Sequence, residues 1–232
     1  MNTPHHKPPC RILHTADLHI AFPEDKACRS LEAVVNLAIK SRADLMLIAG
    51  DLFDHNRIEE KVLEFVREQF RRLPIPITVL PGNHDCLVPG SVYSKTEFWE
   101  DCRNLHVFRS AETLDLPYLD VSIRGKPIDT HYGDVRPLED MPPVKHDGAW
   151  NIVMAHGYFV GTESPLFPSY HITEEDIART ESDYVALGHV PVFRCVCDSP
   201  AAYYSGSPSL TGTSALVDLD ERTGVRVTRV AI

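Results

Sequence analysis

Five short polar clusters, each at the end of an apolar run, constrain the fold of this chain more than any other feature. They are Asp17-Leu18-His19, Gly50-Asp51-Leu52-Phe53-Asp54, Gly82-Asn83-His84-Asp85, His156-Gly157 and Gly188-His189-Val190-Pro191. In open α/β folds, ligands bind beyond the carboxyl ends of the strands. Because every cluster follows a strand-like run, the sequence predicts one shared site. Its carboxylate, imidazole and amide donors are typical of a two-metal hydrolytic centre.

The first half of the chain alternates predicted strands with predicted helices. Apolar runs indicate strands at 11–14, 44–49, 77–80 and 105–109. Apolar residues at near-helical spacing indicate helices at 25–40 and 58–73, and a third helix is expected at 94–103. This order implies parallel strands that are joined by helical crossovers.

The second half of the chain is richer in strands. They are predicted at 118–123, 151–155, 183–187, 193–197, 202–205, 215–219 and 225–230. One helix is expected to begin at Thr173, which has capping-box spacing to Asp176. The two halves together predict an α/β fold with two packed mixed β-sheets flanked by helices. We expect a flexible tail over 1–9, a single catalytic domain over 10–232 and a surface loop over 137–148.

The composition is that of a soluble globular enzyme, with 43% hydrophobic and 24% charged residues. No apolar run approaches the ~20 residues that span a bilayer. The polar N-terminus lacks the apolar core of a secretory signal. We therefore expect a cytoplasmic location, no membrane partner and six reduced cysteines.

The formal net charge of −10 bears on the substrate. No long stripe of lysine and arginine runs along the chain, and neutralisation of backbone phosphates supplies most of the sequence-independent affinity for DNA. Strong binding to DNA by this chain alone is therefore not expected.

Five motifs together resemble the calcineurin-like metallophosphoesterase superfamily and, within it, are most similar to SbcD-type bacterial DNA repair exonucleases. The motifs are ILHTADLH at 12–19, GDLFD at 50–54, LPGNHD at 80–85, YVALGH at 184–189 and YSGSP at 204–208. The resemblance covers most of the chain. It implies an αββα sandwich and a metal-dependent phosphoesterase.

The resemblance also implies two adjacent divalent metal ions that share one carboxylate. Asp51 would bridge them, and Asp17 and His19 would hold the first ion. The expected ligands of the second ion are Asn83, His156 and His189. Manganese suits this mixture of nitrogen and oxygen donors best, with iron or zinc as alternatives. Such a pair of ions would activate a hydroxide for in-line attack on phosphorus.

Further roles carry over to neighbouring positions. His84 would protonate the leaving oxygen or stabilise the charge that develops there, with Asp54 orienting it. Asp85 is expected to support the ligands. Tyr158 and Ser207 are predicted to contact the substrate, and the aromatic residues between positions 158 and 170 could stack on a base.

The pattern breaks at Pro191, where the superfamily has a histidine that completes the first metal site. Proline offers no side-chain donor. Water or another side chain could fill the position, the first ion could bind weakly, or the site could use one ion. The candidate replacements are the histidines His55, His131, His146 and His171, of which His171 is the first choice because it follows the His156 cluster.

Three functions remain open from the sequence. The first is a phosphodiesterase or nuclease that acts on DNA, with a protein partner to supply affinity. The second is a phosphoesterase for nucleotides or simple phosphate diesters, which the acidic charge favours. The third is a degenerate protein that binds nucleotide or a partner without turnover, and Pro191 is its only support. The short stretch after position 208 is expected to leave little room for accessory DNA-binding segments. The oligomeric state is not predicted.

Overall fold

Two six-stranded mixed sheets face each other and form the centre of the fold. The computed structural model describes residues 7–95, 99, 101–145, 148–161 and 169–232. The elements are β1 (Cys10–Thr15), α1 (Lys26–Ser41), β2 (Leu45–Ala49), α2 (Glu60–Arg71), β3 (Ile77–Leu80), β4 (Leu105–Val107), β5 (Glu112–Leu116), β6 (Val121–Gly125), β7 (Trp150–His156), β8 (Tyr158–Gly161), β9 (His171–Thr173), α3 (Glu174–Arg179), β10 (Tyr184–Gly188), β11 (Phe193–Asp198), β12 (Ala201–Ser205), β13 (Thr213–Asp220) and β14 (Gly224–Ala231).

Each sheet combines a set of parallel strands with antiparallel pairing, which lies at one edge of the first sheet and at both edges of the second. The first sheet has the order β14-β13-β1-β2-β3-β4, and its strands β1 to β4 are parallel. The second has the order β11-β12-β10-β7-β6-β5, with β6, β7, β10 and β12 parallel. The predicted α/β class with two packed mixed sheets is confirmed.

Successive side chains of the buried strands point to opposite faces of the sheet, and this divides the core into layers. Ile12 and Leu47 face the layer between the sheets, whereas their neighbours Leu13 and Ile48 face α1 and α2. All four are 0% exposed. A third apolar layer covers the outer face of the second sheet beneath α3. Burying one such side chain contributes roughly 1.5–3 kcal/mol, so the layers fix the strands whose ends form the site.

Local sequence sets the ends of the helices. The Asp25 side chain accepts a hydrogen bond from the backbone N–H of Cys28 at 2.7 Å, and this caps α1. Thr173 and Asp176 form the capping box predicted for α3, with reciprocal bonds between side chains and backbone. Both helix starts are therefore close to their predicted positions.

Several predicted elements differ from the structure. The strand expected at 118–123 is a 3₁₀ turn over Pro117–Leu119 followed by β6, and the sequence did not predict β5, β8 or β9. The helix expected at 94–103 falls partly outside the described residues. The loop expected at 137–148 has no regular structure in its described residues.

Part of the predicted tail is packed against the second sheet. The ammonium of Lys7 pairs with Asp183 at 3.0 Å and lies 4.5 Å from the ring of Trp150. The Trp150 indole N–H also donates to the carbonyl of Pro8 at 2.8 Å. Residues 1–6 lie outside the described residues. In the described part of the chain, no helix is long and apolar enough to span a membrane.

Candidate metal centre

The six predicted metal ligands all lie at the carboxyl ends of central strands. Asp17 and His19 follow β1, Asp51 follows β2, Asn83 follows β3, His156 ends β7 and His189 follows β10. Both sheets contribute, and the layer between them brings these ends together. The site is therefore built from segments that are distant in sequence.

Glycine permits the close approach of the two sheets at this edge. A Cβ atom at Gly188 would lie 1.8 Å from the carbonyl oxygen of Ala49, and one at Gly50 would lie 1.9 Å from Nδ1 of His156. Gly50 also has a φ of 94°, a conformation that other residues rarely adopt. No larger residue would fit at either position without displacing the site.

Four of the proposed ligands have strained backbone conformations. The φ angles are positive at Asp17 (54°), His19 (52°), Asp51 (51°) and His189 (94°). Such conformations cost of order 1–3 kcal/mol each and concentrate at functional sites. Here they lie in the turns that follow β1, β2 and β10.

The proposed ligands of the second ion converge tightly. The side-chain oxygen of Asn83 lies 2.9 Å from Nε2 of His156 and 2.9 Å from Nδ1 of His189. Nε2 of His156 is also 3.2 Å from a carboxylate oxygen of Asp51. Donors bound to one ion at 2.0–2.2 Å in perpendicular directions are about 3 Å apart, so each of these three contacts has the spacing of two ligands of one ion.

Neighbouring groups orient the two imidazoles of this group. Nδ1 of His156 donates to the carbonyl of Ala49 at 2.9 Å, which leaves Nε2 for an ion. His189 has the reverse arrangement, because its Nε2 contacts the Ser169 hydroxyl at 3.2 Å and its Nδ1 faces Asn83. Ser169 was not among the predicted site residues, because no spacing or residue-type signal in the sequence marks it.

The proposed ligands of the first ion form a looser group. Donor atoms of Asp17, His19 and Asp51 lie within 4.8 Å of one another. Nε2 of His19 is 3.8 Å from Asp51, and its Nδ1 is 3.0 Å from the carboxylate of Asp54. A carboxylate behind an imidazole fixes its tautomer and raises its basicity. These residues also fit a metal ion, with fewer protein donors.

Electrostatics at this edge favour a bound cation. Asp17 and Asp51 are both 2% exposed. Burial and the nearby Asp51 carboxylate raise the pKa of Asp17 to about 7, although His156 acts in the opposite direction. Burial alone would raise the pKa of Asp51, but His156 and other hydrogen-bonding partners hold it well below its usual range. Burial would lower the pKa of His156, yet Asp51 raises it to about 9. Burial and the nearby His156 lower the pKa of His189 to about 4. A divalent cation would neutralise the paired carboxylates.

His84 lies beside the first group, with its ring centroid 4.6 Å from that of His19. Its Nδ1 donates to the backbone carbonyl of Asp54 at 2.9 Å, while the Asp54 carboxylate is 3.4 Å away. The expectation that Asp54 orients His84 therefore needs a correction in detail. The backbone of Asp54 holds His84, and its carboxylate pairs mainly with His19.

Asp85 fastens the loop after β3 to the loop after β2. Its carboxylate accepts bonds from the Gly82 N–H at 2.7 Å, the Phe53 N–H at 3.2 Å and the Tyr93 hydroxyl at 2.6 Å. Burial and the neighbouring Asp51 raise the pKa of Asp85 to about 6. The contacts suit the supporting role that the sequence suggested.

The prediction that Ser207 contacts substrate is wrong. Ser207 is 0% exposed, and its hydroxyl donates to the backbone carbonyl of Asp17 at 2.5 Å. It supports the first ligand loop from beneath. Tyr158 is 48% exposed in β8, so its predicted contact with substrate stays a prediction.

Another aromatic residue of this region has a structural position. The Tyr170 side chain is buried, and its ring contacts the ring of His189 edge to face at a centroid distance of 6.0 Å. Its hydroxyl donates to the carbonyl of Thr130 at 3.1 Å. Tyr170 therefore packs behind a proposed ligand and does not offer a stacking surface to a base.

Pro191 has a supporting role through its backbone. Its carbonyl accepts bonds from the Ser207 N–H at 3.2 Å and the Thr211 hydroxyl at 2.6 Å. Among the described residues, the groups of three histidine or carboxylate side chains whose donor atoms all lie within 4.8 Å of one another are Asp17–His19–Asp51 and His19–Asp54–His84. These groups contain none of the described replacement candidates His55, His131 and His171, and His146 lies outside the described residues.

Two mixed sheets with aspartate and histidine side chains at their strand ends offer the donors that a metal-dependent hydrolase needs. The chain matches the family described as calcineurin-like phosphoesterase over residues 10–193. It belongs to this family. The predicted superfamily is thereby confirmed.

Individual relatives agree with this assignment. The chain is 29% identical to the uncharacterized metallophosphoesterase YhaO of Bacillus subtilis (strain 168), over 84% of this chain and 52% of that protein. It is 39% identical, over 32% of its length, to the DNA double-strand break repair protein Mre11 of Aeropyrum pernix, covering 21% of that protein. The chain thus spans about half the length of YhaO and about a fifth of Mre11. The relation to nucleases of the SbcD and Mre11 kind is supported.

A solved structure shares the fold at low sequence identity. It is TT1561 of Thermus thermophilus, with a TM-score of 0.63 and 12% identity, over 97% of this chain and 99% of that one. The likeness bears on the arrangement of the sheets alone.

Substituting Ser169 by alanine should weaken metal binding without unfolding the protein. The change removes the acceptor that faces Nε2 of His189 and so frees the orientation of this imidazole. Loss of such a partner typically reduces metal affinity about 10–100-fold. Titration calorimetry with Mn²⁺ checks this, with Ser182→Ala, whose hydroxyl bonds Thr180, as the matched control. Equal affinities in both variants would mean that Ser169 does not orient the ligand.

Substituting Pro191 by histidine should strengthen binding of a first ion. The variant keeps the backbone carbonyl that anchors the Ser207 loop and adds an imidazole. We expect a gain of at least about 10-fold in affinity. The measurement is Mn²⁺ bound per chain at limiting metal. Pro191→Ala, which removes the ring but adds no donor, should show no gain. Equal occupancy in the wild type and Pro191→His would show that another group already completes the site.

Proposed function

We propose that this chain is a metal-dependent phosphodiesterase of the nuclease-like kind. One observation carries the proposal. A buried carboxylate, Asp51, faces Nε2 of His156 at 3.2 Å and Nε2 of His19 at 3.8 Å, so one side chain serves both proposed ligand groups. A shared carboxylate between two groups of donors is what a paired metal centre needs.

The proposed ligands would form two groups, one for each ion. Asp17, His19 and Asp51 would hold one ion, and Asn83, His156 and His189 would complete the other around Asp51. Manganese is the preferred metal, with iron or zinc as alternatives. Bound ions would withdraw charge from the phosphoryl oxygens and lower the pKa of the attacking water.

His84 is proposed to supply the proton for the leaving oxygen. Its Nδ1 hydrogen bonds the carbonyl of Asp54, so Nε2 is the ring nitrogen that can face a substrate. The side chain of His84 is 42% exposed, whereas that of His156 is fully buried. A positioned general acid contributes typically 10²–10⁴-fold to the rate.

Support for diesters and for nucleic acid comes from the relatives. Mre11 is by name a DNA double-strand break repair protein, and the shared segment covers 32% of this chain. A nuclease role would call for a partner that supplies affinity for DNA, since the chain has a net charge of −10.

The same charge favours a second candidate, a phosphoesterase for nucleotides or simple diesters. Small substrates need no extended basic surface, because the metal centre and His84 would suffice to bind one phosphate.

Substrate comparison tests the proposal. With Mn²⁺, the protein should hydrolyse bis-p-nitrophenyl phosphate faster than p-nitrophenyl phosphate. Single-stranded and double-stranded DNA are then compared with these model compounds. Cleavage of DNA supports the nuclease, and cleavage of model diesters and dinucleotides alone supports the second candidate. Hydrolysis of the monoester alone, or of nothing, would contradict a diesterase.

A further inference from the structure

A cavity of about 610 Å³ opens beside His84, and none of the proposed metal ligands is among its lining residues. It is called the His84 cavity below. Its lining consists of His55, Asn56, Arg57, His84, Val88, Pro89, Gly90 and His131. Among these described lining residues there is one arginine and three histidines but no acid, although the chain has a net charge of −10.

The walls of the His84 cavity are fixed by hydrogen bonds. The amide of Asn56 donates to the carbonyl of Cys86 at 3.0 Å and accepts from the N–H of Val92 at 3.0 Å. The loop after β2 is thereby tied to the loop after β3. The residues on both sides of the cavity are held in place before a ligand arrives, which lowers the cost of binding.

Polar hydrogens are available on one wall of the cavity. The backbone N–H of Arg57 donates to Nδ1 of His55 at 3.1 Å, so the neutral His55 ring carries its hydrogen on Nε2. The Arg57 side chain is exposed, and within the described part of the chain no carboxylate forms an ion pair with its guanidinium. Asp54, three residues before Arg57, is engaged with His19 at 3.0 Å.

The cavity adjoins the proposed metal centre at His84. This residue lines the cavity, and its ring lies 4.6 Å from that of His19 in the proposed metal centre. A leaving group whose oxygen is protonated by His84, as proposed above, would lie next to this cavity.

We propose that the His84 cavity binds a second phosphate group of the substrate, with Arg57 as its main partner. The inference rests on the proposed function, because that function places the scissile phosphate at the metal centre. A guanidinium matches the geometry of phosphate oxygens with two parallel hydrogen bonds. The preferred substrates are diesters whose leaving group carries a further phosphate, either the adjoining phosphate of a nucleic acid strand or a terminal phosphate of a small diester.

Binding of thymidine phosphates to the Mn²⁺-loaded protein tests the cavity without turnover. The wild type should bind thymidine 3′,5′-bisphosphate at least about tenfold more tightly than thymidine 3′- or 5′-monophosphate, as expected for a charge-assisted hydrogen bond. Arg57→Ala should lose this preference and keep its affinity for the monophosphates, and Arg57→Lys should keep part of the preference. Lys61→Ala, which removes an exposed charge on α2 outside the cavity lining, should behave as wild type.

Kinetics separate the two sources of a second phosphate. The dinucleotide TpT has none, pTpT and TpTp have a terminal one, and TpTpT has an adjoining one. A KM that rises about tenfold in Arg57→Ala for pTpT or TpTp indicates a terminal phosphate. A KM that rises in Arg57→Ala for TpTpT alone indicates the adjoining phosphate of a nucleic acid strand. The KM for TpT should be unchanged.

Two results would overturn the inference. One is a wild type that binds the bisphosphate no more tightly than the monophosphates, and the other is an Arg57→Ala variant that weakens all three ligands equally. Hydrolysis of bis-p-nitrophenyl phosphate by the same preparations tests the proposed function separately. An inactive wild type with an Arg57-dependent preference would refute the diesterase and leave the second phosphate site standing. An active wild type without the preference would support the diesterase and refute the second phosphate site.

Discussion

Asp51→Asn is expected to abolish tight metal binding and to lower diester hydrolysis by more than about 100-fold. Loss of residues that merely support a ligand already costs about 10–100-fold in affinity or activity, and Asp51 contributes directly to both proposed ligand groups. Asparagine keeps an oxygen that can accept from the backbone N–H of His84, a bond of 2.9 Å in the structure. The fold should therefore survive. Mn²⁺ bound per chain and the rate on bis-p-nitrophenyl phosphate are measured together.

A matched change away from the site controls for the loss of one carboxylate. Asp218 pairs with Arg11 at 2.7 Å, near the start of β1 and so at the opposite end of the strand from the centre. Asp218→Asn should leave metal content and rate as in the wild type. If Asp51→Asn retained full metal content, the shared carboxylate would not be the basis of the site.

His84→Asn is expected to reduce kcat while leaving the metal content unchanged. His84 belongs to neither of the ligand groups assigned to the two ions, and only its backbone N–H contacts Asp51. A missing general acid typically costs 10²–10⁴-fold. The loss should depend on the leaving group, since p-nitrophenolate leaves without a proton and a nucleoside alkoxide does not.

The comparison of two substrates makes this prediction specific. We expect a loss of at least about 100-fold on TpT and a much smaller one on bis-p-nitrophenyl phosphate. An equal loss on both would assign His84 to stabilisation of charge on the phosphoryl group. Full activity on both would remove it from the reaction.

The central fold could be predicted because its strands are short, apolar and buried on both faces. β2, for example, consists of five fully buried residues, and such a run indicates a central strand without knowledge of its neighbours. β5 was missed because its residues are mostly half-exposed and, in the part of the chain that the structure describes, β6 is its single neighbour at the edge of a sheet. The short strands β8 and β9 have no other partner strand among the described residues, and they pair at a distance in sequence that local patterns do not report.

The clusters of candidate ligands could be found in the sequence because metal chemistry restricts their residue types, and the resemblance to the metallophosphoesterase superfamily implies which of them hold each ion. The contacts that orient them could not be found in the sequence, because they depend on packing between distant segments. Ser169 meets His189 across 20 residues of chain. Asp54 contacts His19 across 35 residues through its carboxylate, and its backbone carbonyl accepts a hydrogen bond from His84. Ser207 resembled a residue of the cleft in sequence, but the approach of its loop to Asp17 buries it.

The most direct test of the metal-dependent diesterase is a titration of metal-free protein with Mn²⁺. Bound metal and hydrolysis of bis-p-nitrophenyl phosphate are measured in the same samples. The tight group around Asn83 and the looser group around Asp17 predict no activity without metal, one strongly bound ion and a second, weaker ion whose binding accompanies the rise in rate. Hydrolysis by the metal-free protein, or two bound ions without any hydrolysis, would contradict the account.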